Sequence, residues 1–287
     1  MKKPDFIIIG AMKSATSTLH EQLSLQEGIF MTTPKEPNYF SDDGVYAKGE
    51  AWYEGLFSEA KAGDLCGESS THYTKLPDYP LALERMSAAL KAPKLVYVLR
   101  HPVDRLVSHY IHQWSRNIFK CDINSAIDQY NELINYSCYA KQIKPYIAEY
   151  GIENVLFVFM EAIKECPQAQ LEKVADFIGY QGQAVWQDEL SKQNVSAERI
   201  RIFPGYKMLI DSAFMEWFRR NFIPQFIRNA IKARLRMRNR PEVSDKNKLK
   251  LVEYFDRDLI ELAEILGVDE LSCGNFKSVA KSYGAIK

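Results

Sequence analysis

Phe6-Ile7-Ile8-Ile9-Gly10-Ala11-Met12-Lys13-Ser14-Ala15-Thr16-Ser17-Thr18-Leu19 joins an apolar, β-branched run to a run of small and hydroxylated residues. Bounded by Pro4 and Gly10, residues Phe6 to Ile9 have the pattern of a buried strand. Thr16 to Gln26 has the pattern of a helix, with Leu19 and Leu23 one turn apart on its apolar side. Between the two, small residues let backbone N–H groups converge on an anion, and the helix N-terminus adds its dipole. Ser14, Thr16, Ser17 and Thr18 supply hydroxyls, and Lys13 supplies a mobile positive charge. A hydroxyl-rich helix cap is the plainer alternative. The position directly after a buried strand favours the anion site.

Working outward, Lys94 to Leu99 and Val155 to Phe159 are further buried-strand patterns, and Leu65 to Ser69 is a short one. Helices are expected from about Pro80 to Leu90, from Pro102 onward, and through Gln170 to Ile178. Residues 28–50 are rich in Pro, Thr, Asn, Asp and Gly and predict a long irregular loop. Strands alternating with helices imply an α/β fold with a central parallel sheet flanked by helices. After Pro204 the strand signal gives way to long amphipathic helices. The expectation is a single domain over 1–287, with an α/β core over about 1–200 and a helical subregion over about 204–275.

Composition narrows the function. The 287 residues carry 37 Lys plus Arg against 37 Asp plus Glu, so no global attraction to nucleic acid or acidic membranes is expected. The five cysteines are scattered, with no spacing that suggests zinc or a disulfide framework, so no metal is expected. Lys2 and Lys3 precede an apolar run, but Asp5 interrupts it and it is too short for a secretory signal. No run approaches the roughly 20 apolar residues of a membrane span. Reduced thiols and no visible address lead to the expectation of a soluble, cytoplasmic protein.

The kind of anion follows from what the loop lacks. A Walker A loop needs Gly-x-x-x-x-Gly-Lys-Ser/Thr. Counting from Gly10, Ala15 stands where the second Gly belongs and Thr16 where the Lys belongs, while Lys13 falls inside the loop. A nucleotide or small-molecule kinase is therefore the weaker alternative.

A second polar cluster lies in Leu99-Arg100-His101-Pro102-Val103-Asp104-Arg105-Leu106-Val107-Ser108-His109-Tyr110. Arg100 ends a strand, Pro102 suits the first helical position, and Asp104 suits the positive helix N-terminus. Val103, Val107, Tyr110, Ile111 and Trp114 form the apolar stripe, and Arg105, Ser108 and His112 form a polar one. Arg100 beside that stripe, at the carboxyl end of a strand, makes a phosphate clamp.

Together, Lys13-Ser14-Ala15-Thr16-Ser17-Thr18-Leu19 and Arg100-x-Pro-x-x-Arg105-x-x-Ser108-x-Tyr110 resemble the two nucleotide-binding signatures of the sulfotransferase family. The resemblance continues through Val155–Glu161, Asp176–Gly179 and the helical stretch ending near Leu271. It implies a P-loop-NTPase-like sulfotransferase fold and 3′-phosphoadenosine 5′-phosphosulfate (PAPS) as donor, giving adenosine 3′,5′-bisphosphate (PAP) as product. By the same resemblance Lys13, Ser14, the Ala15 backbone, Thr16, Ser17 and Thr18 hold the 5′-phosphosulfate, and Arg100 and Ser108 the 3′-phosphate. Ser196 and Arg199, in Lys192–Arg199, resemble a later nucleotide-contacting loop. The family usually has Gly where this chain has Ala15, so a slightly altered loop is expected.

Chemistry needs two further groups. Lys13 suits the leaving-group side, where charge accumulates on the bridging oxygen. Glu36, in Pro34-Lys35-Glu36-Pro37-Asn38-Tyr39-Phe40, resembles the general base of the Glu-x-x-Phe-Phe stretch of glycan sulfotransferases. His112 matches a His of the family's Ser-x-Tyr-x-His variant and is a second catalytic candidate; His72 is a third. Ser69 follows Glu68 where some glycan enzymes have Lys, which argues against a heparan-like acidic acceptor. The acceptor class is a small molecule or carbohydrate bearing a hydroxyl or amine. Between Arg219 and Arg240 lie eight basic and no acidic residues. An amphipathic helix packed on the core is favoured there over contact with an acidic acceptor or a membrane surface. A non-catalytic nucleotide- or glycan-binding module is the alternative from outside the enzymes.

Overall fold

Among the described residues of the computed structural model, which are 2–188, 201, 237 and 239–285, strands and helices alternate. In chain order they are β1 (Phe6–Gly10), α1 (Thr16–Ser24), β2 (Ile29–Met31), α2 (Asp43–Tyr46), α3 (Glu50–Gly55), β3 (Leu65–Ser69), a 3-10 turn (Thr71–Thr74), α4 (Ala82–Ala89) and β4 (Lys94–Leu99). There follow α5 (Pro102–Ser115), α6 (Ile123–Gln129), α7 (Glu132–Asn135), α8 (Tyr139–Tyr150), β5 (Val155–Phe159), α9 (Met160–Glu165), α10 (Pro167–Phe177), α11 (Asp245–Leu266) and α12 (Phe276–Ala285). The strands pair in parallel in the order β2-β3-β1-β4-β5, with Ile8 opposite Val96 and Tyr97 opposite Phe157. No described helix is long and apolar enough to cross a membrane.

The strands are apolar on both faces because both faces are covered. Ile7, Ile9, Leu95, Tyr97, Leu99 and Phe157 pack with Ile143 of α8, Leu259 and Leu262 of α11 and Phe276 of α12. Phe6, Ile8, Val96, Val98 and Val158 pack on the other face with Leu19 and Leu23 of α1 and Leu171 and Val174 of α10. Each such side chain, when fully buried, contributes roughly 1.5–3 kcal/mol. A third cluster joins Leu106, Val107 and Tyr110 of α5 to Ile123, Leu133 and, from α11, Leu251 and Phe255. It fixes the rotation of α5 about its axis, and so which residues it turns toward the sheet end.

Two expectations are corrected. Residues 28–50 are not irregular throughout: Ile29–Met31 hydrogen-bonds to β3, and α2 and α3 follow. A three-residue edge strand is too short to show a period, and its partner lies some 35 positions on. Arg105 is not on a polar face. It is fully buried, its Nε–H donating to Ser137 Oγ and its Nη2–H to Leu133 O at 2.8 Å.

Strand order places the site. The chain leaves β1 toward β2 on one side and leaves β4 toward β5 on the other. The crevice between the carboxyl ends of β1 and β4 is therefore the topological switch point, where open α/β sheets bind ligands. At the end of β1, a Cβ on Gly10 would stand 2.0 Å from Thr74 Oγ1, and that hydroxyl donates to Ile9 O at 2.9 Å. Only glycine lets the 3-10 turn lie this close to β1.

Candidate active site

The turn after β1 is strained and open. Ala15 is the N-cap of α1 at φ 67°, ψ 19°, a left-handed conformation, and Lys13 stands at φ 71°. Each costs about 1–2 kcal/mol for a residue with a Cβ. The altered loop expected from Ala15 does not arise by avoiding positive φ: Ala15 adopts what glycine prefers. No side chain caps α1, so the plainer capping alternative fails and the first-turn N–H groups stay open to a ligand. Thr16, Ser17 and Thr18 line the cavity above them. The Ser14 side chain does not line it; it is buried under the loop, its Oγ without a hydrogen-bond partner.

The turn after β4 is closed. His101 caps α5, its Nδ1 accepting from Asp104 N at 3.5 Å while its Nε2–H donates to Cys273 O at 3.0 Å. The His101 backbone N–H donates to Glu161 Oε1 at 3.0 Å. Asp104 is bridged by Arg240 (2.9 Å) and Lys277 (3.1 Å). What faces the cavity here is side chain: Arg100, Ser108 and His112. Tyr139 donates its hydroxyl to Arg100 O at 2.6 Å, and Arg100 Nη1–H donates to Lys13 O at 2.9 Å. The guanidinium thereby ties the two turns together.

Both turns open into one cavity of about 1060 Å³. Ligand pockets commonly span about 300–1,000 Å³, so this one has room for a nucleotide and a second molecule. Lys13, Ala15, Arg100, Ser108, Glu36 and His112 all line it, although Glu36 and Arg100 are 64 positions apart in sequence. Ser196 and Arg199 lie outside the described residues, as does nearly all of 219–240. Among the described residues no group of three or more His, Cys, Asp or Glu could hold a metal ion.

Glu36 is held at the cavity wall by its backbone, whose N–H donates to Ser69 O at 2.9 Å. Thr71 Oγ1 and Lys35 Nζ donate to its Oε1 at 3.2 and 3.0 Å. Burial raises its carboxyl pKa, but the charge and hydrogen bond of Lys35, with Lys75 and His72, outweigh that and hold it below its ordinary value. Glu36 is therefore ionised at neutral pH and has lone pairs for a proton.

Sequence reasoning missed part of the wall. His72 was a lesser candidate; it lines the cavity, stacks on Tyr79 at 4.4 Å, and is lowered to about 4 by burial, then by Lys75. Lys75, His109, Arg116 and Tyr136 also line it, and none was singled out. The one available signal for Lys75 is that it lies three residues after His72.

A parallel α/β sheet whose switch point opens into one cavity lined by Lys13, Thr16, Arg100 and Ser108 has the layout of a transferase. A family model described as the sulfotransferase domain matches residues 3–224, and the chain belongs to that family. It is 31% identical over 185 residues to heparan sulfate glucosamine 3-O-sulfotransferase 3B1 of Mus musculus, covering 61% of this chain and 46% of the relative. It is 26% identical over 197 residues to the bifunctional heparan sulfate N-deacetylase/N-sulfotransferase 2 of Homo sapiens, covering 61% of this chain and 22% of that protein. The chain thus spans about half the length, or less, of these curated relatives. A crystal structure of a sulfotransferase from Alicyclobacillus acidocaldarius superposes with a TM-score of 0.66 at 22% identity, over 94% of this chain and 98% of that one, which shows the shared fold.

Proposed function

We propose that the protein transfers a sulfuryl group from PAPS to a hydroxyl or amine of a glycan or small-molecule acceptor, without a metal. The observation that carries this reading is the pair of anion sites in one cavity, tied by the Arg100–Lys13 hydrogen bond. The residues present fit the donor. The uncapped α1 N-terminus with Lys13, Thr16, Ser17 and Thr18 suits a phosphosulfate, and Arg100 with Ser108 suits the 3′-phosphate. Family membership and the heparan sulfate named in the relatives' titles support sulfotransfer and a glycan acceptor.

In the proposed reaction the acceptor oxygen or nitrogen forms a bond to sulfur as the bond from sulfur to the phosphate oxygen breaks. Glu36 takes the acceptor proton, a role its ionised state supports. Lys13 stabilises the negative charge left on the phosphate oxygen. His112 lines the same cavity and is the secondary candidate for proton handling. No metal is needed, because positioning and fixed positive charge carry such transfers.

Calorimetry with the purified chain tests the donor. PAP is expected to bind without metal and ATP·Mg²⁺ to bind more weakly; the reverse order overturns the reading in favour of a kinase. Incubation with labelled PAPS and a panel of glycans and hydroxylated metabolites tests transfer. PAP binding with no transfer to any acceptor would leave only a binding module.

A further inference from the structure

Ser69 and Lys75 bracket one segment and have opposite fates. Ser69, where a cation was expected to be missing, is fully buried, its Oγ paired with His20 Nδ1 at 2.8 Å. The Ser69 side chain does not line the cavity. Lys75, just beyond the 3-10 turn, is only 6% exposed yet lines the cavity. Its carbonyl accepts from Asp78 N at 2.9 Å, but its ammonium makes no hydrogen bond or ion pair with any described residue and lies over the Tyr136 ring, 5.6 Å from the centroid. Nearby carboxylates are committed elsewhere. Glu132 accepts from Gln113 Nε2–H at 3.1 Å, Asp78 accepts the Tyr136 hydroxyl, and Glu36 holds Lys35.

A buried ammonium without an anion is costly to keep charged. Burial accordingly lowers the Lys75 pKa to about 8, against the opposing pull of Glu36. The strongest charges acting on it are Glu36, Arg105, Glu132 and Arg116, not Lys13 or Arg100. Lys75 and Glu36 line the same cavity, and Lys75 directly follows the 3-10 turn that contacts Glu36. Its turn is the one whose Thr71 hydrogen-bonds Glu36, which fixes the two relative to each other.

We propose that Lys75 is the anion-recognition residue of the acceptor subsite: it takes a carboxylate or sulfate carried by the acceptor and sets the reacting group against Glu36. The acceptor is thus an anionic saccharide, its charge met by the cavity floor instead of by position 69. This rests on the proposed sulfotransfer and adds a specificity determinant to it.

The test uses the PAP-saturated protein, so that the phosphate turns are filled, and measures disaccharide binding by calorimetry. One probe is glucuronosyl-N-acetylglucosamine and its partner is the same disaccharide with the carboxylate reduced to an alcohol. A third, carboxyl-reduced but N-sulfated, separates sulfate from carboxylate recognition. The wild type is expected to bind at least one anionic probe about tenfold more tightly than the neutral one, as a charge-assisted hydrogen bond implies. Lys75→Met should bring the ratio within about twofold of unity, and Lys75→Arg should keep most of it. Equal affinities in the wild type, no detectable anionic-probe binding, or a preference that survives in Lys75→Met overturns the assignment. PAP binding, measured in each variant, shows that the fold is intact. Failure of the wild type to bind PAP removes the sulfotransferase reading and this subsite with it, whereas PAP binding without anion preference removes Lys75 alone.

Discussion

The turns after β1 and β4 stand on adjacent strands, each between a strand and a helix, yet they are built in opposite ways. After β1 the helix starts on a strained alanine with no cap, and its N–H groups face the cavity. After β4 the helix starts on Pro102, which has no N–H, while the His101 N–H donates to Glu161 and the Asp104 N–H to the His101 ring. One turn offers main chain and the other offers Arg100 and Ser108. The difference teaches that an anion site made of backbone is hard to remove by substitution, whereas one made of side chains hangs on one or two residues. It also assigns the strain: left-handed residues at 13 and 15 are what the backbone site requires.

The largest expected effect separates chemistry from binding. Glu36→Gln leaves both turns intact, so PAP affinity should hold within about twofold while turnover falls about 10²–10⁴-fold. Lys13→Ala should lower turnover comparably and weaken PAP as well. If Glu36→Gln keeps full turnover with a true acceptor, the base is elsewhere, and His112→Ala becomes the decisive variant.

Next in size is the contrast between the turns. Arg100→Ala should weaken PAP about 10–100-fold, from about 1.5–3 kcal/mol for a charged hydrogen bond, and erase the preference for PAP over adenosine 5′-phosphate. Ser17→Ala removes one hydroxyl among backbone donors and should cost only a few-fold, about 0.5–1.5 kcal/mol. Equal losses in calorimetry would dissolve the distinction drawn between the turns.

A pH profile gives a smaller, graded effect. Lys75 is charged below about 8 and neutral above it, among Glu36, Arg105, Glu132 and Arg116 and under the Tyr136 ring. Affinity for an anionic acceptor should therefore be greatest below pH 8 and fall as pH rises through it. A neutral acceptor should show no such fall. On the acid side Glu36, held below its ordinary value, should keep activity to a lower pH than an unperturbed carboxylate would.

Smallest is Ala15→Gly. Relief of the left-handed strain outweighs the added chain entropy, for a net gain of about 1 kcal/mol and a melting temperature higher by roughly 2–4 °C. A lower melting temperature would mean that the loop does not hold this conformation in solution.

Much of this was legible in the sequence where signals are local. Leu65–Ser69, Lys94–Leu99 and Val155–Phe159 appear as strands at the expected bounds, and β1 runs one residue longer, because buried parallel strands are continuous apolar runs. The two turns that meet in the cavity were legible as polar clusters because small residues, hydroxyls and Arg100 follow directly on strand ends. What escaped depends on partners far along the chain. Arg105 looked polar on its helix, but Ser137 and Leu133 O, about 30 positions on, turn it into a structural residue. Lys75 carries no local signal, because Tyr136, which its ammonium overlies, is about 60 positions on. The helices over 123–150 were not foreseen at all.

Gly10 links these halves mechanically. Thr74 occupies the space that any side chain at position 10 would need, so the segment bearing His72 and Lys75 is seated on the residue that opens the loop after β1. The loop after β1 and the segment after β3 share one point of contact. A substitution there displaces both at once, so neither can drift through that point without the other.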